Sequence, residues 1–156
     1  MAFVDPARDF RGALTIGAEP AAVFDALLEP AGPHGWWTTD GSVVREPGGT
    51  IRLNWSPATF VEFRIDRLEA PGATDWTCVA QFDDNLPQPD EWIGTALAFR
   101  LRPEGGGTRL SLVHRGLEPA LDCYDVCARG WDAFLHTSLK PLVESGEGAP
   151  WVARST

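Results

Sequence analysis

The stretch "YDVCARGWDAFLHTSLKPLVESGEG", residues 124 to 148, decides the fold. Tyr124, Cys127, Trp131, Leu135, Leu139 and Leu142 recur at three- and four-residue steps, which places them on one face of a helix of about five turns. An apolar stripe of that length has to lie against another element, and the residues upstream say which. Pro141 near its end is expected to kink or loosen the last turn, because proline has no N–H to give the helix. The residues that follow, "ESGEGAPWVARST", read as an unstructured tail.

Working back from the helix, residues 42 to 115 change period from three-and-a-half to two, with turn signals at hairpin intervals. "SVVREPGGTIRLNW" reads as two strands around Pro47-Gly48-Gly49. In "FVEFRIDRLEAPGATDWTCVAQF", Val61, Phe63 and Ile65 oppose Glu62, Arg64 and Asp66. The Pro71-Gly72 turn then leads to a strand with Trp76, Cys78, Ala80 and Phe82 on one face. After the loop "DDNLPQPDE", "WIGTALAFRLRPEGGGTRLSLVHRGL" is the clearest hairpin: Ile93, Thr95, Leu97, Phe99 and Leu101 share a side, and Leu110, Leu112 and His114 alternate with Ser111 and Val113 beyond the triglycine turn. Ahead of this block, "DFRGALTIGA" alternates as a half-buried strand. "AEPAAVFDALLEP" is a short helix with Pro20 in its first turn, a Val23-Phe24-Leu27-Leu28 stripe and Pro30 as its stop. "AGPHGWWTTDG" is a turn or short helical segment whose Trp36 and Trp37 need apolar surroundings.

The order is strand, helix, short segment, about six antiparallel strands and a long helix. That is an α+β class in which only the last helix is long enough to cover the sheet. Residues 1–150 are expected to form one domain and 151–156 a tail. A chain of 156 residues with 44% hydrophobic and 22% charged residues is of globular composition. Seven tryptophans and eight phenylalanines against one tyrosine suit a dense core or an apolar cavity.

The formal charge of −9 and the absence of a basic cluster speak against nucleic acid and anionic membranes as partners. No apolar run approaches the ~18 residues of a membrane span, and "MAFVDPARDF" has no signal-peptide core, so membrane insertion is not expected and a cytoplasmic address is. Three cysteines are too few for a disulfide framework, which agrees with a reducing compartment.

Several motifs together resemble a known family: "EPAAVFDALLEP" followed by Trp36-Trp37, "GGTIRLNW", the E-W-x-G-T strand, the G-G-T-R-L hairpin ending in H-x-G-L, and "GWDAFLHTSLK". Over roughly residues 8 to 150 the chain resembles the START-like, or SRPBCC, superfamily, and within it the bacterial single-domain branch related to the activator of heat-shock-protein-ninety ATPase. The resemblance implies a helix-grip fold: a curved antiparallel sheet of six or seven strands wrapped around the long C-terminal helix, with one or two short helices after the first strand and a cavity between sheet and helix. It implies binding of a small, largely apolar or aromatic molecule in that cavity. A polyketide cyclase- or dehydratase-like enzyme using the same cavity is the alternative, and a chaperone ATPase cofactor a third reading. Superfamily resemblance carries fold further than function. No cofactor is implied for this branch, and either a monomer or a homodimer is compatible with it.

The cavity candidates are Trp37, Trp55, Phe63, Trp76, Trp92, His114, Tyr124, Trp131 and Leu135, drawn from segments that such a fold brings around one interior. Trp92 and Trp131 are expected as walls and His114 or Tyr124 as the polar anchor. His114 would be the proton-transfer group of the enzyme reading; alternatively it satisfies a backbone group at its strand end. Cys123 and Cys127 stand one turn apart, a spacing that can share a metal, but no second pair completes a site, so a metal is not expected. Asp122, Asp125 and Asp132 offer a carboxylate to the cavity mouth, with Tyr124 as an acid partner, but acidic residues early in a helix are already explained by its dipole, and no catalytic residue is assigned. The small residues Gly94, Ala96 and Ala98 leave room on one strand face: a ligand space if that face is concave, a thinly covered exterior if convex.

Overall fold

A computed structural model describes residues 9–154; residues 1–8 and 155–156, where the reading of the N-terminus and the end of the expected tail fall, lie outside the described residues. The chain forms β1 (Asp9–Ile16), α1 (Pro20–Leu27), β2 (Asp40–Val43), β3 (Thr50–Asn54), β4 (Phe60–Glu69), β5 (Ala73–Phe82), β6 (Ala96–Glu104) and β7 (Gly107–Arg115). A helical rod follows: α2 (Tyr124–Phe134), a π turn (Leu135–Leu139) and α3 (Lys140–Ser145). The strands make one antiparallel sheet in the order β1-β7-β6-β5-β4-β3-β2, a meander to which β1 is added beside the last strand. This is the α+β helix-grip architecture, with one helix after the first strand rather than two.

Register explains which side chains turn inward. Leu97, Phe99 and Leu101 of β6 lie opposite His114, Leu112 and Leu110 of β7, which in turn lie opposite Phe10, Gly12 and Leu14 of β1. These rows face the helical rod, where Cys127, Trp131, Leu135 and Leu139 are buried. The two-residue turn of the β6–β7 hairpin is Gly105-Gly106, both at positive φ (56° and 83°), as a turn that follows the sheet's right-handed twist requires. Ala96 and Ala98 occupy the opposite, outer face of β6, so the small-residue face is the exterior of the sheet.

Two expectations fail on β5 and β6 for local reasons. A register shift between the Glu62–Ala80 and Phe63–Cys78 pairs leaves Val79 as an extra residue. Beyond this bulge the alternation inverts: Gln81 is buried and Phe82, expected beside Trp76 and Cys78, is exposed. On β6, Ile93 is 48% exposed because residues 92–95 form a turn, closed by the Thr95 N–H to the Trp92 carbonyl at 2.9 Å, and the strand starts at Ala96.

The effect of Pro141 appears one turn earlier than expected. The rod stays continuous, but over Leu135–Leu139 it widens to a π turn, in which the N–H of Lys140 reaches the Leu135 carbonyl. A ring at position 141 can neither donate to the carbonyl four residues back nor pack tightly against it, and widening the preceding turn accommodates both.

The expected unstructured tail is docked instead. Gly146, at φ 85°, ends the rod in the left-handed conformation. The chain then returns along the Trp37–Thr39 segment: the Trp151 N–H reaches the Trp37 carbonyl (3.0 Å), the Thr39 N–H the Trp151 carbonyl (2.9 Å) and the Arg154 N–H the Trp55 carbonyl (2.9 Å). Ser138, fully buried in the π turn, holds the return in place by donating to the Trp36 carbonyl at 2.5 Å and accepting the Ala149 N–H at 2.9 Å. Ser138→Ala should therefore cost roughly 1–3 kcal/mol, because the buried Trp36 carbonyl loses its donor and the Ala149 N–H its acceptor. Amide exchange should speed up at Ala149 and Trp151 ahead of the strands; unchanged exchange there would show the tail to be held by other contacts.

Candidate functional site

Aromatic side chains from five segments meet where the β4–β5 end of the sheet approaches α2. Trp37 is at their centre, with ring centroids of Trp131 at 4.8 Å, Trp36 at 5.3 Å, Trp55 at 6.0 Å, Phe63 at 6.1 Å, Trp92 at 6.2 Å and Phe134 at 6.3 Å. The indoles of Trp92 and Trp131 are nearly parallel, 6° apart in plane. This cluster does not close on itself. It leaves an open pocket of about 160 Å³, walled by Trp37, Trp55, Trp92 and Trp131 with Phe60, Val61, Leu86 and Phe134, and with Gln81, Thr59, Asp83 and Cys127 as polar or polarisable groups.

The pocket exists for reasons visible in the backbone. The bulge at Val79 turns Gln81 inward where a bulkier Phe82 would otherwise point. On the helix, Gly130 lines the pocket, and a Cβ built there would meet nothing within 4 Å. A glycine inside α2 costs helix stability, about 1 kcal/mol relative to alanine, so the opening is maintained at some expense to the helix.

A shallower cleft adjoins the mouth. It shares Trp55, Thr59, Asp83 and Phe134 with the pocket and adds Asn85, Trp151 and Arg154, with a volume of about 440 Å³. The docked tail thus forms one of its banks. Inner chamber and outer cleft differ in polarity: aromatic within, mixed and charged without.

Of the nine residues expected around a cavity, Trp37, Trp55, Trp92 and Trp131 line this one. Phe63, Trp76, His114 and Leu135 do not; each is 0 or 1% exposed and packs behind it, where sheet and helix converge until side chains touch. Tyr124 is half-buried at the start of α2, against the core rather than in the pocket. The lining residues that periodicity could not supply are Gln81, displaced by the bulge, Leu86 and Asp83 from the long loop, and Gly130, which carries no side chain to register.

His114 takes a role different from both expectations. Its Nδ1 accepts the indole N–H of Trp131 at 3.0 Å, and its Nε2 lies 2.8 Å from Thr95 Oγ1, which itself donates to the Trp92 carbonyl at 2.7 Å. An accepting Nδ1 leaves the proton on Nε2, so the relay runs from imidazole to hydroxyl to backbone. It satisfies side chains rather than a strand-end carbonyl directly. Burial, with no compensating charge, pushes the pKa of His114 down to about 3 and keeps the ring neutral.

The three thiols differ as sharply. Burial pushes the Cys78 thiol up to about 12, which makes it inert at neutral pH. Cys123 is raised as well, first by its hydrogen bond with Cys127 and then by burial. Cys127 is lowered, chiefly because Cys123 donates to it, with the indole N–H of Trp92 at 3.3 Å adding to the effect and burial opposing it. Among the described residues no group of three or more His, Cys, Asp or Glu stands together to hold a metal ion, and no helix is long and apolar enough to cross a membrane.

Comparisons with known proteins agree with this architecture. The solution structure of the Aha1 dimer from Colwellia psychrerythraea is 25% identical, covering 90% of this chain and 98% of that one, with a TM-score of 0.72. Protein CV1439 from Chromobacterium violaceum is 23% identical over 88% of this chain and 97% of that one, with a TM-score of 0.68. CalU16 from Micromonospora echinospora is 21% identical over 90% and 80%, with a TM-score of 0.62. The latter two likenesses speak to the fold alone. No curated protein matches the chain in sequence. Residues 17–144 match the model of the family described as Activator of Hsp90 ATPase homolog 1-like protein, a span that runs from the end of β1 through the helical rod, and the chain therefore belongs to that family.

Proposed function

We propose that the protein binds a small, largely apolar ligand in the pocket between the β4–β5 end of the sheet and α2. The observation that carries this reading is the open chamber walled by four tryptophans in an otherwise densely packed interior. About 160 Å³ is close to the ~150 Å³ apolar cavity that takes up a benzene ring. The ligand is accordingly one with a single aromatic or similarly sized apolar group that enters the chamber, and a more polar remainder that stays in the outer cleft beside Asp83, Asn85 and Arg154. Binding without turnover is favoured over a cyclase-like reaction because both nitrogens of His114 are engaged within the core and its ring is held neutral, away from the pocket lining.

Gly130 offers the test. Gly130→Leu places a side chain in open space inside the pocket while improving helix propensity by close to 1 kcal/mol, so the variant should fold and melt no lower than the parent. Titration with 4-phenylbutan-2-one, followed by tryptophan fluorescence, should saturate with the parent protein and weaken at least tenfold with the variant. Equal affinities would place the ligand elsewhere and sink the reading.

A further inference from the structure

Two groups on the chamber wall stand apart from the aromatic set, and Trp92 braces both. Its backbone N–H donates to Gln81 Oε1 at 2.8 Å, and its indole N–H donates to Cys127 Sγ at 3.3 Å. The first bond fixes the Gln81 amide with its oxygen used. Its Nε2, with two hydrogens to donate, has no partner among the described residues, although the side chain is only 9% exposed and lines the chamber. That amide donor opens onto the chamber without a protein partner, and a ligand carbonyl there would accept from it.

The second bond concerns the sulfur. Cys127 lines the same chamber and accepts the indole N–H of Trp92, and the thiol of Cys123 stands one turn earlier. Both favour the thiolate, the reactive form of a cysteine, while burial and the carboxylates of Glu91 and Asp83 act against it. Neither Cys78, held inert behind the wall, nor Cys123 lines the chamber.

Resting on the binding reading above, we infer that the chamber captures soft electrophiles covalently: apolar molecules bearing a conjugated carbonyl, with Cys127 as the nucleophile and Gln81 Nε2–H as the donor to the carbonyl oxygen. The step is a conjugate addition. The sulfur forms a bond to the β-carbon as the C=C π bond breaks, and that electron pair moves onto the carbonyl oxygen as an enolate beside the Gln81 amide. The enolate then takes up the proton that the thiol gave up, at the α-carbon. The net change is addition of S–H across the double bond, with no oxidant or reductant consumed.

The experiment uses 4-phenylbut-3-en-2-one as the electrophile and its saturated counterpart, 4-phenylbutan-2-one, as the reporter of binding alone. Intact mass and peptide mapping at pH 7 should show one adduct, on Cys127, formed at least tenfold faster than on the urea-unfolded chain and slowed by excess saturated ketone. Gln81→Leu, which also frees the Trp92 N–H, should lower at least tenfold the ratio of the enone rate to the rate with methyl methanethiosulfonate, which has no carbonyl. An adduct on Cys78 or Cys123 instead, or a native rate no higher than the unfolded one, overturns the proposal. Saturable binding of the ketone with Cys127 left unmodified overturns the capture and leaves the binding reading standing. A fast adduct on Cys127 without saturable ketone binding supports the thiol and overturns the binding reading.

Discussion

Taking the protein from pH 7 to pH 5 should lower its stability by about 2 kcal/mol through His114 alone. The sign follows from burial. In the folded chain the ring has a pKa of about 3, whereas in the unfolded chain it returns to about 6.5. Above pH 6.5 both states are neutral and the group contributes its full stability. As the pH falls below 6.5 the unfolded state takes up a proton that the folded state refuses, and stability declines by up to about 1.4 kcal/mol per unit until the folded ring also protonates near pH 3. The other two histidines, His34 and His136, are exposed. Urea midpoints measured at pH 7, 6 and 5 should therefore fall steadily, and His114→Gln should flatten the trend while lowering the pH 7 value, because the Trp131 and Thr95 partners are disturbed. A slope of the same size in the glutamine variant would assign the proton uptake to another group.

The second large effect is expected at Trp131. The side chain is 2% exposed, contacts the rings of Trp37, Trp92, Phe99 and His114, and supplies the N–H that holds His114. Truncation to alanine removes a large ring from the core and orphans Nδ1 of a buried imidazole, so Trp131→Ala should cost at least the 3–5 kcal/mol typical of such deletions. Trp131→Phe separates the two contributions: it keeps most of the apolar volume and removes the donor, for a loss of roughly 1–3 kcal/mol. Denaturant unfolding of both variants reads the difference. If phenylalanine is as damaging as alanine, the indole N–H dominates; if it is harmless, the His114 relay contributes nothing to stability. The ligand should respond in the opposite direction to stability in one respect, since alanine at 131 enlarges the chamber and would admit a bulkier group.

These two residues also show how far the chain could be read in advance. The apolar face of residues 124–142 and the period-two pattern of residues 42–115 were sufficient for an antiparallel sheet covered by one long helix, and the resemblance to a known family added the helix-grip arrangement. The same reasoning brought the tryptophans to one interior. It did not separate those that line the pocket from those behind it. Trp76 and Trp92 carry equal weight in a sequence, yet Trp76 is sealed against Phe63 and Phe99 and bonds to Thr74 Oγ1, whereas Trp92 stands at the chamber wall.

The sequence by itself determined the order of the elements, the hairpin turns, the inward faces of β1, β6 and β7, and the stripe of the long helix. All of these depend on residue spacing and on turn chemistry within a dozen positions. Only the tertiary structure decided the rest. The Val79 bulge reverses which side of β5 faces in, and one extra residue in a strand leaves no mark in composition. The docking of Trp151 on Trp37–Thr39 and the bond from Ser138 to the Trp36 carbonyl join segments more than a hundred residues apart. The pocket arises at Gly130, where a missing side chain meets a widening gap between sheet and helix, and a cavity is a property of what several distant segments fail to fill.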